Sequence, residues 1–226
     1  MKFAVSADVA QAVQAWALAQ MNIDPHAGPN GSYQITSVYY DTPDFSVFRR
    51  APGYEIHKYR VRRYGTESIA HLERKSKQDG RVWKHRSTVP LAVLDQPMTE
   101  WGVPWFIREL TELNQRPVCV VTYQRMAFVS TSPTGPIRLT MDRFAIGSPV
   151  SQLILTPVSS GVPLLTDEVV VECKYLAMIP GLFKVLIETQ QLTPTGLSKY
   201  RRCARAAGLV TEPDPTTPYS VGEAAV

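Results

Sequence analysis

The amino-acid sequence predicts an α+β fold in which an antiparallel sheet supplies most of the chain and helices pack against it. Three observations carry this reading. Runs with period-two alternation, rich in aromatic and β-branched residues, fill positions 33–89 and recur at 118–129, 137–144 and 169–175. Apolar residues recur at three- and four-residue steps over 8–21, 180–191 and 197–207. On strand after strand, the basic residues fall on a single face.

Ser6 or Asp8 caps a first helix that reaches about Met21 through Val9, Val13, Trp16 and Ala17. Residues 24–32 concentrate Pro, Gly, Asn and Asp and form a loop. Strands follow from Tyr33 to about Val89. Within them, Asp41-Thr42-Pro43 has the composition of a turn that ends a strand, with a catalytic Asp41 as the alternative. Leu91 to Arg116 reads as mostly helical, interrupted at Gly102-Val103-Pro104. After the next strands, Pro180 to Gln191 is an amphipathic helix with Pro180 in its first turn and Leu182, Leu186 and Ile187 on its core side. Leu197 to Ala207 is another helix, ended by Gly208. Residues 211–226, rich in Pro, Thr and small residues, are expected to form a disordered tail. With no fixed-period repeat and no dividing linker, residues 1–210 are expected to form a single domain.

The chain has 226 residues, 44% of them apolar, and a net charge of +4. That provides ample material for a core and excludes a disordered chain. The three cysteines, Cys119, Cys173 and Cys203, lie far apart with no metal-ligand spacing, so a reducing compartment is expected. No signal-like run opens the chain and no apolar stretch approaches the roughly 20 residues of a membrane helix. A soluble, cytoplasmic protein is expected, one that reaches a membrane only through a membrane-protein partner. His26, His57, His71 and His85 are scattered without ligand spacing, and His57 and His85 fall on faces opposite the basic ones. No Walker loop or nucleophile elbow is present.

The charged face carries the functional signal. Lys58, Arg60 and Arg62 fall at alternate positions of one strand, as do Glu73, Lys75 and Lys77 of the next and Lys84 and Arg86 of the one after. Arg138, Thr140 and Asp142 align further on, then Glu172 and Lys174. An ordinary solvated face mixes polar types, and like charges opposite each other destabilise a sheet. A face this basic points to a bound anion. The interspersed Glu73, Asp142 and Glu172 supply the carboxylates that a divalent cation needs. A polyphosphate or nucleoside triphosphate held with a metal ion fits both features.

At these residues the sequence resembles the VTC-type polyphosphate polymerase domain of the triphosphate tunnel metalloenzyme (CYTH-like) superfamily. The similarity lies in Ser37-Val38-Tyr39-Tyr40-Asp41-Thr42-Pro43, in Lys58-Tyr59-Arg60-Val61-Arg62-Arg63-Tyr64-Gly65, and in Leu72-Glu73-Arg74-Lys75 followed by Lys84-His85-Arg86. It continues in Val171-Glu172-Cys173-Lys174 and Leu197-Ser198-Lys199-Tyr200 and spans about residues 1–208. The resemblance implies an antiparallel, closed eight-stranded β-tunnel with a basic interior and helices packed outside. It implies phosphate contacts from Lys2, Arg60, Arg62, Lys75, Lys84, Arg86, Arg125 and Lys199. Lys58, Arg138 and Lys174 join them through their shared strand faces. Glu172 is implied as the metal carboxylate for Mn²⁺ or Mg²⁺, with Glu73 and Asp142 as further candidates. Arg60, Arg62, Lys84 and Glu172 are then the catalytic set. The implied activity is transfer of the ATP γ-phosphate onto a growing polyphosphate chain. Hydrolysis of inorganic (pyrophosphate, tripolyphosphate) or nucleoside triphosphates in the same tunnel and non-catalytic polyphosphate binding are the alternatives. Two departures stand out: of the opening strand Glu-x-Lys-Tyr or Glu-x-Glu-x-Lys common in such domains, Met1-Lys2-Phe3 keeps only the lysine, and Gly196-Leu197 replaces a lysine found before Ser-Lys-Tyr in some relatives. A nucleic-acid partner is not expected, because Tyr59, the aromatic residue beside Arg60, lies on the opposite strand face.

Overall fold

A computed structural model describes residues 1–78 and 81–212, the side chains of 77, 78 and 81 excepted. The side chain of Lys77, aligned in the sequence with Glu73 and Lys75, and the tail expected over 211–226, from residue 213 onward, fall outside what is described. The chain opens with β1 (Lys2–Ser6), α1 (Ala7–Gln20) and the short β2 (Asn22–Ile23), then β3 (Ser32–Asp41) and α2 (Ser46–Arg49). Three long strands follow: β4 (His57–Tyr64), β5 (Ile69–Gln78) and β6 (Arg81–Pro90). After α3 (Pro104–Glu112) come β7 (Arg116–Ser132), β8 (Gly135–Pro149), the short β9 (Val162–Pro163) and β10 (Glu168–Lys174). The helices α4 (Gly181–Thr189) and α5 (Lys199–Ala206) close the described chain.

All pairings are antiparallel, and the main path runs β1-β10-β8-β7-β3-β4-β5-β6, with β2 attached to β7 and β9 to β8. The eight-strand path matches the expectation, but among the described residues hydrogen bonds do not close it: β1 and β6 are its two ends. β1 is five residues long and feeds directly into α1, and the charge of its Lys2 acts on Lys58 and Lys75 of the facing wall. That mutual effect also shows how far the sheet curls, since charges on β1 reach side chains on β4 and β5.

The sequence dictates which face is convex. Phe3, Val5, Phe128, Leu139, Met141, Val169, Val171 and Cys173 point outward and bury themselves against Ala10, Val13 and Ala17 of α1 and Phe183 and Leu186 of α4. Val38, Tyr40, Tyr59, Val61, Leu72 and Val120 do the same against Phe106 and Leu110 of α3. Ser6 caps α1 through a hydrogen bond from the Val9 backbone N–H. Between Leu91 and Glu100 the expected helix is two short 3-10 turns, and α3 begins at Pro104, the position where proline's missing N–H costs nothing.

One helix departs from the expected outside layer. α5 packs on the concave side, where Tyr200, Cys203 and Ala204 meet Ile35, Tyr39, Val121 and Tyr123. Asp41 anchors it. Its fully buried carboxylate accepts hydrogen bonds from the backbone N–H groups of Thr42, Val47 and Phe48 and from the Tyr200 hydroxyl. The Asp-Thr-Pro segment is therefore the turn its composition predicts, and Asp41 holds α2 and α5 to the end of β3. β8 continues past Phe144 because a bulge absorbs an extra residue there: Phe144 takes a φ of 52° and the register against β7 shifts between Thr122 and Gln124.

Candidate functional site

The site is built from β4 outward. Alternation puts Lys58, Arg60, Arg62 and Tyr64 on the concave face, and register extends that face across the neighbouring strands. Arg60 stands opposite Glu73 on β5, and Glu73 stands opposite Arg86 on β6. On the other side, Arg62 faces Ser37 of β3, Tyr33 faces Arg125 of β7, and Arg125 faces Asp142 of β8. Arg138 and Thr140 of β8 face Lys174 and Glu172 of β10, and Glu172 faces Lys2 of β1. The strands thus bring the expected basic residues onto one continuous concave surface, joined by Lys199 from α5.

Two buried carboxylates organise the basic groups. Glu73, 1% exposed, accepts from Arg60 Nε at 2.6 Å and from Arg86, with Lys84 Nζ 3.6 Å away. Asp142, 2% exposed, accepts from Arg125 Nε at 2.6 Å and Nη2 at 2.8 Å and from Lys199 Nζ at 2.5 Å. Burial alone would raise both carboxyls. The cations outweigh it, led by Arg60, Arg62 and Arg86 at Glu73 and by Arg125 and Lys199 at Asp142, and hold both well below the usual carboxylate range. Arg62 is pinned without an acid: its Nε donates to Ser37 Oγ at 2.9 Å and its Nη2 to Tyr123 Oη at 3.1 Å. Arg125 Nη2 reaches the same Tyr123 oxygen at 3.4 Å, and Lys199 Nζ lies 4.6 Å from the centre of that ring. Tyr123 is the hub the sequence reading missed. Its signal was present, since it lies two residues from Arg125 on the same strand and so shares its face.

At one end of this surface, Arg138 donates to Asp24 at 2.5 Å and to Tyr33 Oη at 2.7 Å. Asp24, from the loop after α1, was not anticipated either. On the opposite wall, enclosure lowers Lys58 to about 7, and Arg201, Lys2 and Lys75 add to the effect. Enclosure likewise lowers Lys75 and Lys174 to about 8. The histidines that sequence placed on the other face are structural: His57 Nδ1 lies 2.9 Å from Ser76 Oγ, and His85 stacks on Trp105.

The three candidate metal carboxylates are not gathered together. Among the described residues no cluster of three or more His, Cys, Asp or Glu side chains is placed to hold a metal ion. The oxygens of Glu73 and Asp142 are taken by cations. Glu172 differs, with Lys174 Nζ at 3.4 Å as its ion-pair contact. Burial would raise its carboxyl, but Lys174, Lys2 and Arg125 hold it well below the usual range, so it is ionised. Thr140, directly opposite in register, is fully buried and its hydroxyl has no hydrogen-bond partner among the described residues. One ionised carboxylate beside an unsatisfied hydroxyl fits a hydrated divalent cation that takes its remaining ligands from phosphate and water.

Comparison with known proteins gives a consistent picture. The family model described as the VTC domain matches residues 1–207. No curated protein sequence matches the chain. Among solved structures, the chain is similar to HpAC1 from Hippeastrum, described as a putative adenylyl cyclase with a dominant triphosphatase activity, at a TM-score of 0.52 and 14% identity over 96% of this chain and 99% of that one. A second similar structure is the PH1819 protein of Pyrococcus horikoshii OT3, at a TM-score of 0.39 and 11% identity over 84% of this chain and 85% of that one. The HpAC1 likeness establishes a shared fold.

Proposed function

Because the chain belongs to the VTC domain family, we propose that its concave face binds ATP and polyphosphate and transfers the ATP γ-phosphate onto a polyphosphate chain. The observation that supports this most directly is the convergence of Arg60, Arg62, Arg86, Arg125 and Lys199 on one surface, each held by a protein acceptor or ring before any ligand arrives. Phosphoryl transfer needs little covalent help; it needs the phosphoryl group held in line and its charge neutralised. Guanidinium forks fixed on Glu73 and Asp142 are suited to this, because they present remaining N–H donors at set angles without reorganising during the reaction. Lys199, held on Asp142, adds an ammonium beside them. Glu172, assisted by Thr140, would hold Mn²⁺ or Mg²⁺, and such an ion when bound neutralises negative charge on the phosphates.

A second reading, triphosphate hydrolysis on the same surface, draws on the activity described for the similarly folded HpAC1. Incubation of the purified protein with γ-labelled ATP, Mn²⁺ and a short polyphosphate primer separates the two. A ladder of labelled chains is expected. Free orthophosphate alone would replace the polymerase by a triphosphatase. Tight binding without either product would leave a binding module.

A further inference from the structure

Arg143 is a cation that the concave face does not use. In regular alternation Asp142, Phe144 and Ile146 of β8 would share one face, and the bulge breaks that rule. Asp142 points into the concave face, and Ala145, three residues on, packs there with Tyr200 and Cys203 of α5. Arg143 and Phe144 are left outside that core: Arg143 reaches Gln14 of α1, and Phe144 is 70% exposed. The arrangement requires a φ of 52° at Phe144, a conformation that bulky side chains rarely adopt. A strained bulge of this kind re-aims side chains. Here it sends Arg143 into a cleft of about 440 Å³, whose other wall is Ala7, Gln11, Gln14, Ala15 and Leu18 of α1. Those helix positions form one stripe, beside the Ala10, Val13 and Ala17 stripe that holds α1 to the sheet. From Arg143 the sheet continues to Gln124 of β7 and Gln34 of β3, directly opposite in register.

The charge in this cleft is unbalanced. Among the described residues no carboxylate lines it. Arg143 Nη2 donates to the neutral Gln14 Oε1 at 3.1 Å, and its Nε is buried without an acceptor. Arg143 has no ion-pair partner among the described residues, whereas Arg74, on the same outer face of the sheet, is paired with Glu109. A buried donor left unmade costs stability, so a ligand that supplies an acceptor is favoured. The surroundings select what carries that acceptor. A nucleic acid or phosphate chain is held by several cations along its length, and this cleft offers one. A lipid surface is held by clusters of lysine and arginine. Glutamine amides both donate and accept, which suits a peptide backbone. Leu18, 52% exposed, and Phe144, next in the chain to Arg143, add apolar contact beside the charge. We propose that the cleft between α1 and the β8 bulge docks a segment of another protein, which presents a carboxylate to Arg143 and apolar side chains to Leu18 and Phe144. The cleft lies on the opposite face of the sheet from the basic surface, so occupying one leaves the other open.

Panning a display library of random short peptides on the folded protein, followed by calorimetry of the selected peptides, tests this. Wild type is expected to select Asp or Glu close to Leu, Ile or an aromatic residue. Arg143→Gln should weaken those peptides about tenfold or more, the worth of a charge-assisted contact. Leu18→Glu, at an exposed position, should weaken them as strongly by setting a like charge against the carboxylate. Arg62→Ala should leave their affinity unchanged. Acidic peptides that lose affinity in Arg62→Ala and keep it in Arg143→Gln would be bound by the concave face, and the proposal would fall. Selection of no acidic and apolar motif by folded wild type, or wild-type affinity in both cleft variants, would overturn it equally.

Discussion

Arg125 and Asp142 face each other in register across β7 and β8 and are joined by two hydrogen bonds of 2.6 and 2.8 Å. Both are almost fully buried, and Lys199 shares the same carboxylate. Removing one partner of such a pair leaves an uncompensated buried charge. Asp142→Ala is therefore expected to lower stability by about 3–5 kcal/mol. Adding Arg125→Ala should recover part of that loss. Urea denaturation of the single and double variants measures the coupling; additive losses would contradict it.

Strand parity gives a sharper test of the site. Arg60 and Arg62 point into the concave face, whereas Arg63 points away and donates to the Glu67 carbonyl. Arg60→Ala and Arg62→Ala should each weaken tripolyphosphate binding by about 1.5–3 kcal/mol, roughly tenfold or more. Arg63→Ala should leave it unchanged. Equal effects from all three, measured by calorimetry, would contradict the assignment of faces.

Binding is expected to depend on pH with a definite sign. Lys58 is lowered to about 7 and Lys75 and Lys174 to about 8, so the free protein begins to lose these protons at and above neutral pH. A polyanion favours the protonated forms and raises their pKa values. The bound state therefore carries more protons than the free state between about pH 7 and 9, and affinity falls as pH rises through that window. Calorimetry in buffers of different ionisation enthalpy should record proton uptake on binding. Proton release there would reverse the assignment.

Glu172 is half-buried beside Lys174, with its oxygens less committed than those of Glu73 or Asp142. Glu172→Gln is expected to abolish metal-dependent turnover while retaining most of the tripolyphosphate affinity. Full metal-dependent activity in that variant would move the cation to another carboxylate.

Much of this surface is legible in the sequence because strand alternation is a geometric rule. Once His57–Tyr64 is read as a strand, Arg60 and Arg62 must share a face, and the structure agrees. The pairing of each face with its neighbours is not local. That Glu73 joins Arg60 to Arg86, or that Asp142 joins Arg125 to Lys199, depends on register between strands and on where α5 lies. Neither follows from one strand's pattern, which is why these two acids read as metal ligands from sequence and are ion-paired in the fold. The inward position of α5 was hidden for the same reason. An amphipathic helix declares which of its sides is apolar, but not which face of a sheet it will cover.

The missing hydrogen bonds between β1 and β6 change what kind of container this is. In a closed barrel, strand number and stagger fix the bore. A sheet with two free edges behaves like a split ring, whose width is set by side-chain attraction and repulsion across the gap. Lys2 stands across the gap as a like charge to Lys58 and Lys75, so under the proposed function an anionic thread laid between those charges would draw the edges together. Under the same proposal, loading would proceed from the side, at any internal point of a long thread, and the rate of capture should follow the total length of polymer offered and not the number of its ends.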